Sequence, residues 1–262
     1  MNTSFWSLPA FDTPFLVLLV VIFLAGIARG LSGFGTGMIV APVAGAIYGP
    51  KAALTLLVLI DILPSLPVTI PAFRIARWSE VVPILIGMVA GIPLGVWILV
   101  NGDELFLRWL ICLTILACVA VLWLRWIWRG PRNTGVSLGI GGVAGVLSGI
   151  ASIPGPPILA YWMTAGLPAA IVRANLLTLF FLSTFVALAN LVVAGIFSGE
   201  IAMRALAAAP VYFLGIVAGT HAFSKGGERL YRIATFLLIL LAALLALPAF
   251  DTVFDAAQPL AS

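Results

Sequence analysis

Arg29, Asp61 and Arg173 are the ionisable residues that stand inside long apolar runs of this chain. A charge in apolar surroundings costs several kcal/mol unless it faces a cavity or a partner. The arginines are suited to hold an anion. Asp61, followed by the kinking prolines Pro64 and Pro67, is suited to carry a proton or to pair with an arginine. Arg29 opens the run Arg29-Gly30-Leu31-Ser32-Gly33-Phe34-Gly35, and a second such bend runs from Ser148 through Pro157. Helices restarting after Gly33–Gly37 and at Gly155-Pro156-Pro157 would direct free N–H groups and a positive dipole end at a bound anion. Ser32, Thr36, Ser148 and Ser152 add hydroxyls there, and glycine lets backbone approach closely. The candidate anion site is therefore Arg29, Ser32, Gly33, Phe34, Gly35, Thr36, Ser148, Ser152, Gly155, Pro156, Arg173 and Asn175, with Asp61 as the candidate proton carrier. Other readings stay open: Arg29 paired with Asp61, Arg173 snorkelling from only about six residues inside its run, Asn175 and Thr178 bonding between helices. His221 stands near the end of its run, at the place where the first half has Trp97, and reads as interfacial or packed, with a proton-coupling role left open.

The elements that must position these residues are membrane helices. Of 262 residues, 63% are hydrophobic and 8% charged, against roughly 25% charged in a soluble domain. That excludes a soluble globular protein, a disordered chain and a nucleic-acid binder; the net charge of +4 is the positive excess of membrane-protein loops. Six runs have the length of a span, about 20 residues: 52–73, 81–100, 105–128, 169–197, 201–223 and 230–250. Trp78, Trp123, Trp126 and Trp128 sit near span ends as interfacial anchors. The regions 14–49 and 136–167 are broken by the two bends into arms of about 13–16 residues, short for a bilayer core of about 30 Å. Irregular backbone at membrane depth must be buried in protein or line a cavity, so these regions read as re-entrant hairpins. The N-terminus lacks a basic region, and a cleaved signal peptide is not expected. Cys112 and Cys118 read as membrane-buried thiols. Zinc-protease, nucleophile-elbow and P-loop motifs are absent, so no enzyme, metal or cofactor is expected.

The chain also repeats itself. Leu31-Ser32-Gly33 recurs as Leu147-Ser148-Gly149, and Gly91, Gly95, Gly102, Glu104 and Arg108 fall without a gap on Gly215, Gly219, Gly226, Glu228 and Arg232. Each half, 14–128 and 136–250, holds one broken hairpin and three spans. Loop charge then chooses a topology. With every broken region spanning, Lys and Arg divide six to five. With both re-entrant, the halves are inverted and eight (Arg74, Arg77, Arg125, Arg129, Arg132, Lys225, Arg229, Arg232) face three (Lys51, Arg108, Arg204). Positive-inside bias favours inversion, with both termini outside. The fold expected is an all-α integral membrane protein of two inverted repeats, an organisation that secondary transporters use.

The bends carry a family resemblance. Arg29–Pro42, R-G-L-S-G-F-G-T-G-M-I-V-A-P, resembles the G-F-G-x-G run of the TauE/SafE sulfite exporter family of permeases. Ser148–Pro157, S-G-I-A-S-I-P-G-P-P, resembles its second-half S-G-x-x-G-x-G-G-P-P, with Ser152 and Pro154 standing where the family pattern has glycine. The duplicated organisation matches as well. The resemblance implies a multi-pass protein of the bacterial cytoplasmic membrane that exports sulfite, organosulfonates or thiosulfate. The expected partners are a small anionic substrate and the lipid bilayer; a homodimer stays open. The rival functions are an anion channel, a carboxylate transporter and a non-transporting membrane subunit.

Overall fold

The computed structural model describes residues 12–124, 128–224 and 240. Among them the chain forms α1 (Thr13–Ser32), α2 (Thr36–Tyr48), α3 (Pro50–Ile75), α4 (Trp78–Asn101) and α5 (Glu104–Trp123) in the first half. The second half contributes α6 (Thr134–Ala151), α7 (Gly155–Trp162), α8 (Ala169–Val193) and α9 (Gly199–Ser224). Seven of these helices are long and apolar enough to cross a membrane, and no strand occurs among the described residues. The all-helical expectation holds, and α3, α4, α5, α8 and α9 lie over five of the expected runs, α5 and α8 ending at Trp123 and Val193. Apart from position 240, the sixth, 230–250, lies outside the described residues, as do Gly226, Glu228 and Arg232 of the repeat.

The broken regions are less even than the sequence suggests. α1 has 20 residues and α2 has 13; α6 has 18 and α7 eight, followed by a 3-10 turn at Met163–Ala165. At 1.5 Å per residue the first arms are about 30 and 27 Å long and the second arms about 20 and 12 Å. The cause is where the helices stop. Arg29 and Gly30 remain helical, and α1 ends only where Gly33 and Gly35 take φ of 83° and 105°. Side chains Asp12 and Asn133, accepting the N–H of Phe15 (3.1 Å) and Val136 (2.8 Å), cap the starts of α1 and α6.

Helix pairing follows the glycines. α1 lies along α9 with Gly26 against Tyr212 and Gly215, and Gly30 against Ile216 and Gly219. α4 lies along α6 with Gly87 against Leu138 and Gly141, Gly91 against Gly142, and Gly95 against Val146 and Gly149. A Cβ at Gly30 would collide with the Ile216 carbonyl, and one at Gly95 with the Val146 carbonyl. These are close small-residue contacts between apolar helices. In both pairs the contacts step forward together, so α1 runs in the direction of α9 and α4 in that of α6. α3 packs on α8, α3 on α9 and α4 on α8. Large apolar side chains such as Ile86, Leu94, Leu113, Val193 and Leu214 are exposed on the outer faces, the surface that lipid covers in a membrane protein.

Each short arm is fastened at its C-terminal end. Arg204 of α9 lies over the Tyr48 ring at 4.5 Å and pairs with Glu200 at 3.0 Å. Arg132 lies over the Tyr161 ring at 4.7 Å and pairs with Glu80 of α4 at 2.6 Å. Trp128 rests edge-on against Tyr161.

Candidate functional site

The two breaks meet. A Cβ on Gly37, in the first turn of α2, would fall on the Ser152 carbonyl, and one on Gly155 would touch the Phe34 ring at 3.0 Å. Only glycine at Gly37 lets α2 start directly against the end of α6. Ser152 takes φ 58° there, the one non-glycine residue with positive φ among the described residues. Its N–H closes α6 by bonding to Ser148 O at 2.9 Å, as the Gly33 N–H closes α1 on Arg29 O at 2.8 Å. Serine at position 152, where the resembled pattern has glycine, therefore leaves the close approach intact: Gly37 supplies the space and Ser152 bears a left-handed backbone.

A small cavity opens beside this crossing. Its walls are Arg29 of α1, Phe34 and Gly35 of the first break, Thr36, Gly37 and Met38 of α2, and Leu57, Val58 and Asp61 of α3. Ser148, Ser152, Ile153, Pro154 and Gly155 come from the second break, and Phe180, Ser183, Thr184 and Ala187 from α8. Of the sequence-derived candidates, Arg29, Phe34, Gly35, Thr36, Asp61, Ser148, Ser152 and Gly155 line it.

Arg29 and Asp61 face each other in this wall. Nη2 of Arg29 donates to Oδ2 of Asp61 at 2.7 Å, with both side chains nearly closed off from solvent. The other carboxylate oxygen accepts from Ser65 Oγ at 2.8 Å and from Tyr212 Oη at 2.9 Å. Thr36 Oγ1 lies 2.7 Å from Tyr212 Oη. Because the phenol proton goes to Asp61, the threonine is the donor in that pair. The Arg29 guanidinium stacks over Phe180, 5.7 Å from the ring centre, and its buried Nε has no hydrogen-bond partner among the described residues. Asp61 sits where α3 is opened by Pro64, Pro67 and Pro71, each of which removes one helical N–H.

The two helix starts are unequal as anion binders. In α2 the N–H groups of Thr36, Gly37 and Met38 precede the first intrahelical bond, from Ile39 N–H to Gly35 O at 3.2 Å. In α7 the second and third positions are Pro156 and Pro157, which have no N–H. Backbone donors on this wall are thus supplied mainly by α2.

The other candidates lie outside the cavity lining. Ser32 Oγ stays within the first break, 2.8 Å from Ala28 O and 2.9 Å from Phe34 O. Gly33 packs against the Arg173 side chain, and Pro156 is buried in α7. Arg173 donates to the Gly30 carbonyl and reaches Thr220 Oγ1 at 3.5 Å, so its charge sits at the negative end of α1. Asn175 Oδ1 accepts the Arg77 N–H at 2.7 Å, which holds the start of α4 against α8. Thr178 is fully buried in α8. His221 is exposed, with Nδ1 3.0 Å from Val217 O. Cys112 and Cys118 are buried in α5. No group of three metal-ligand side chains occurs among the described residues.

Sequence reasoning did not find Ser65, Tyr212, Phe180, Ser183 or Thr184. Ser65 was open to discovery, four residues beyond Asp61 on the same helical face. Tyr212 was not: it is 151 residues from the carboxylate it bonds.

The family model of the sulfite exporter TauE/SafE matches residues 18–246, across both breaks and every helix described. The chain belongs to this family. A TauE/SafE protein is a membrane transporter-like protein, and with seven span-length helices among its described residues this one is multi-pass. No curated protein and no solved structure matches it. The two bends that carry the resemblance are the segments that cross beside the Arg29–Asp61 pair.

Proposed function

We propose that this TauE/SafE protein is a secondary transporter of the bacterial cytoplasmic membrane that exports a small sulfur-containing anion, such as sulfite, an organosulfonate or thiosulfate, by alternating access. The observation that carries this reading is the cavity at the crossing of the two breaks. It combines a buried guanidinium with the open N–H groups of α2, which is what a compact oxyanion needs. Discontinuous helices meeting at a buried site are how secondary transporters hold substrate and ions.

Two inverted repeats fit the packing. α1 pairs with α9 as α6 pairs with α4. Asn175, early in α8, meets Arg77 at the end of α3, so these central helices run in opposite directions. The Tyr48–Arg204 and Tyr161–Arg132 fastenings then lie at opposite ends of the bundle, each beside the return of one hairpin. Opening one end while the other stays fastened would expose the cavity to one side at a time.

The test is purified protein in proteoliposomes loaded with sulfite, thiosulfate, sulfoacetate or a simple carboxylate, with thermal unfolding in detergent against the same anions. Saturable efflux and anion-dependent stabilisation are expected for a sulfur oxyanion. Single-channel conductance in planar bilayers would identify a channel instead. Absence of both flux and stabilisation would leave a non-transporting subunit.

A further inference from the structure

The cavity is lined by one cation and one anion, and they neutralise each other. Arg29 Nη2 and Asp61 Oδ2 are 2.7 Å apart, with side chains 5% and 11% exposed. Among the described residues no other charged side chain lines it. An anion entering as a third charge would leave this buried site with an uncompensated negative charge, which is costly in a poorly hydrated setting. The site has a way out. Arg29 Nε is buried and has no partner among the described residues, so the guanidinium has a donor to spare when an oxyanion takes the place of Asp61. The carboxylate, once released, keeps two donors, Ser65 Oγ at 2.8 Å and Tyr212 Oη at 2.9 Å. Its freed oxygen Oδ2 is then the atom on which a proton restores neutrality.

Resting on the anion reading above, we propose that anion binding and proton binding are one event at this pair: the anion replaces Asp61 on Arg29, and Asp61 Oδ2 takes one proton. The balance is an Arg29⁺·Asp61⁻ pair plus a monoanion plus H⁺ giving an Arg29⁺·anion pair plus neutral Asp61. Each monoanion is then moved together with one proton, and the loaded site has the same net charge as the empty one. Among the described residues, the groups that face Asp61 are all used in this scheme. They are Arg29 from α1, Ser65 from its own helix, and Tyr212 from α9, itself held by Thr36 of α2. Phe180 of α8 reaches the pair through Arg29.

The experiment is calorimetric titration of the full chain in detergent with methanesulfonate, a monoanion across the working pH range, in two buffers of different ionisation enthalpy. Sulfite, thiosulfate and sulfoacetate are run alongside. The expected result is uptake of about one proton per monoanion, with methanesulfonate Kd rising about tenfold per pH unit above the range where uptake begins. Asp61→Asn should bind methanesulfonate without proton uptake, independently of pH, and be stabilised by it more than the wild type, because the anion supplies the charge that Arg29 has lost. Should Asp61→Asn not fold, Tyr212→Phe serves in its place. It leaves the ion pair intact but removes one donor from the carboxylate, so proton capture is easier and methanesulfonate binds about tenfold tighter at neutral pH. Anion binding by the wild type with no proton uptake overturns the exchange and leaves the anion site standing. Binding of none of the four anions overturns the anion site and the exchange with it.

Discussion

Removing one member of the Arg29–Asp61 pair should destabilise the protein far more than removing both. In soluble proteins, breaking a buried pair by deleting one partner costs about 3–5 kcal/mol, because the remaining charge is stranded. The two members are not stranded equally. Asp61 alone would keep the hydroxyls of Ser65 and Tyr212 and can neutralise itself with a proton. Arg29 alone would keep only the Phe180 face for its charge, and a guanidinium does not deprotonate. Asp61→Asn is therefore expected at the upper end, about 4–5 kcal/mol. Arg29→Met is expected nearer 2–3 kcal/mol, since each hydrogen bond to a charged group offsets about 1.5 kcal/mol or more. The double variant has no stranded charge and should fall within about 1–2 kcal/mol of the wild type, a coupling energy of several kcal/mol. Equilibrium unfolding in mixed micelles, followed by tryptophan fluorescence in anion-free buffer, measures all four proteins. Single costs that simply add in the double variant would refute the pairing argument. So would an Arg29→Met cost larger than that of Asp61→Asn, since the surviving carboxylate would then be the worse-stranded charge.

Ser152→Gly should raise stability by about 1 kcal/mol or more, because Ser152 holds a left-handed backbone that glycine adopts freely. Gly33→Ser, at the C-cap of α1 (φ 83°), should lower it by a similar amount, as its Cβ would also press on Arg173 at 3.3 Å. Thermal unfolding checks both, and an unchanged midpoint for the pair would contradict the strain assignment. Single cysteines placed at Ser79, at the start of α4, and at Phe197, in the exposed turn between α8 and α9, should react with an impermeant maleimide from opposite sides of the membrane. Reaction from one side would rule out the inverted arrangement.

What the sequence could reveal followed from whether an interaction is local. Span ends were legible because a polar break such as Asn101–Glu104 has nowhere to sit but outside the apolar layer, and α4 and α5 stop and start there. The break in the first hairpin was legible in kind but not in place. Composition reads Gly30 and Gly33 alike, yet Gly30 is helical because α9 packs against it, whereas Gly33 is left-handed because α1 ends there. The difference lies in residues about 185 positions away. The same limit shaped the charges. Arg29, Asp61 and Arg173 stood out by their apolar surroundings, but isolation says only that each needs a partner. Arg29 and Asp61 found one another in the cavity, while Arg173 found the carbonyl end of α1 and Asn175 the backbone N–H of Arg77. Arg173 and Asn175 thereby hold α1 and α4 in place around the crossing. The chemistry is concentrated on one buried pair, whose only local hint was the i, i+4 spacing of Asp61 and Ser65. A site with one cation among the described residues, already neutralised, is a different device from the two-arginine site the sequence suggests. On the exchange proposed above, such a site accepts an anion only by giving up its internal partner, so the charge on Asp61, rather than a second arginine, would govern what it binds.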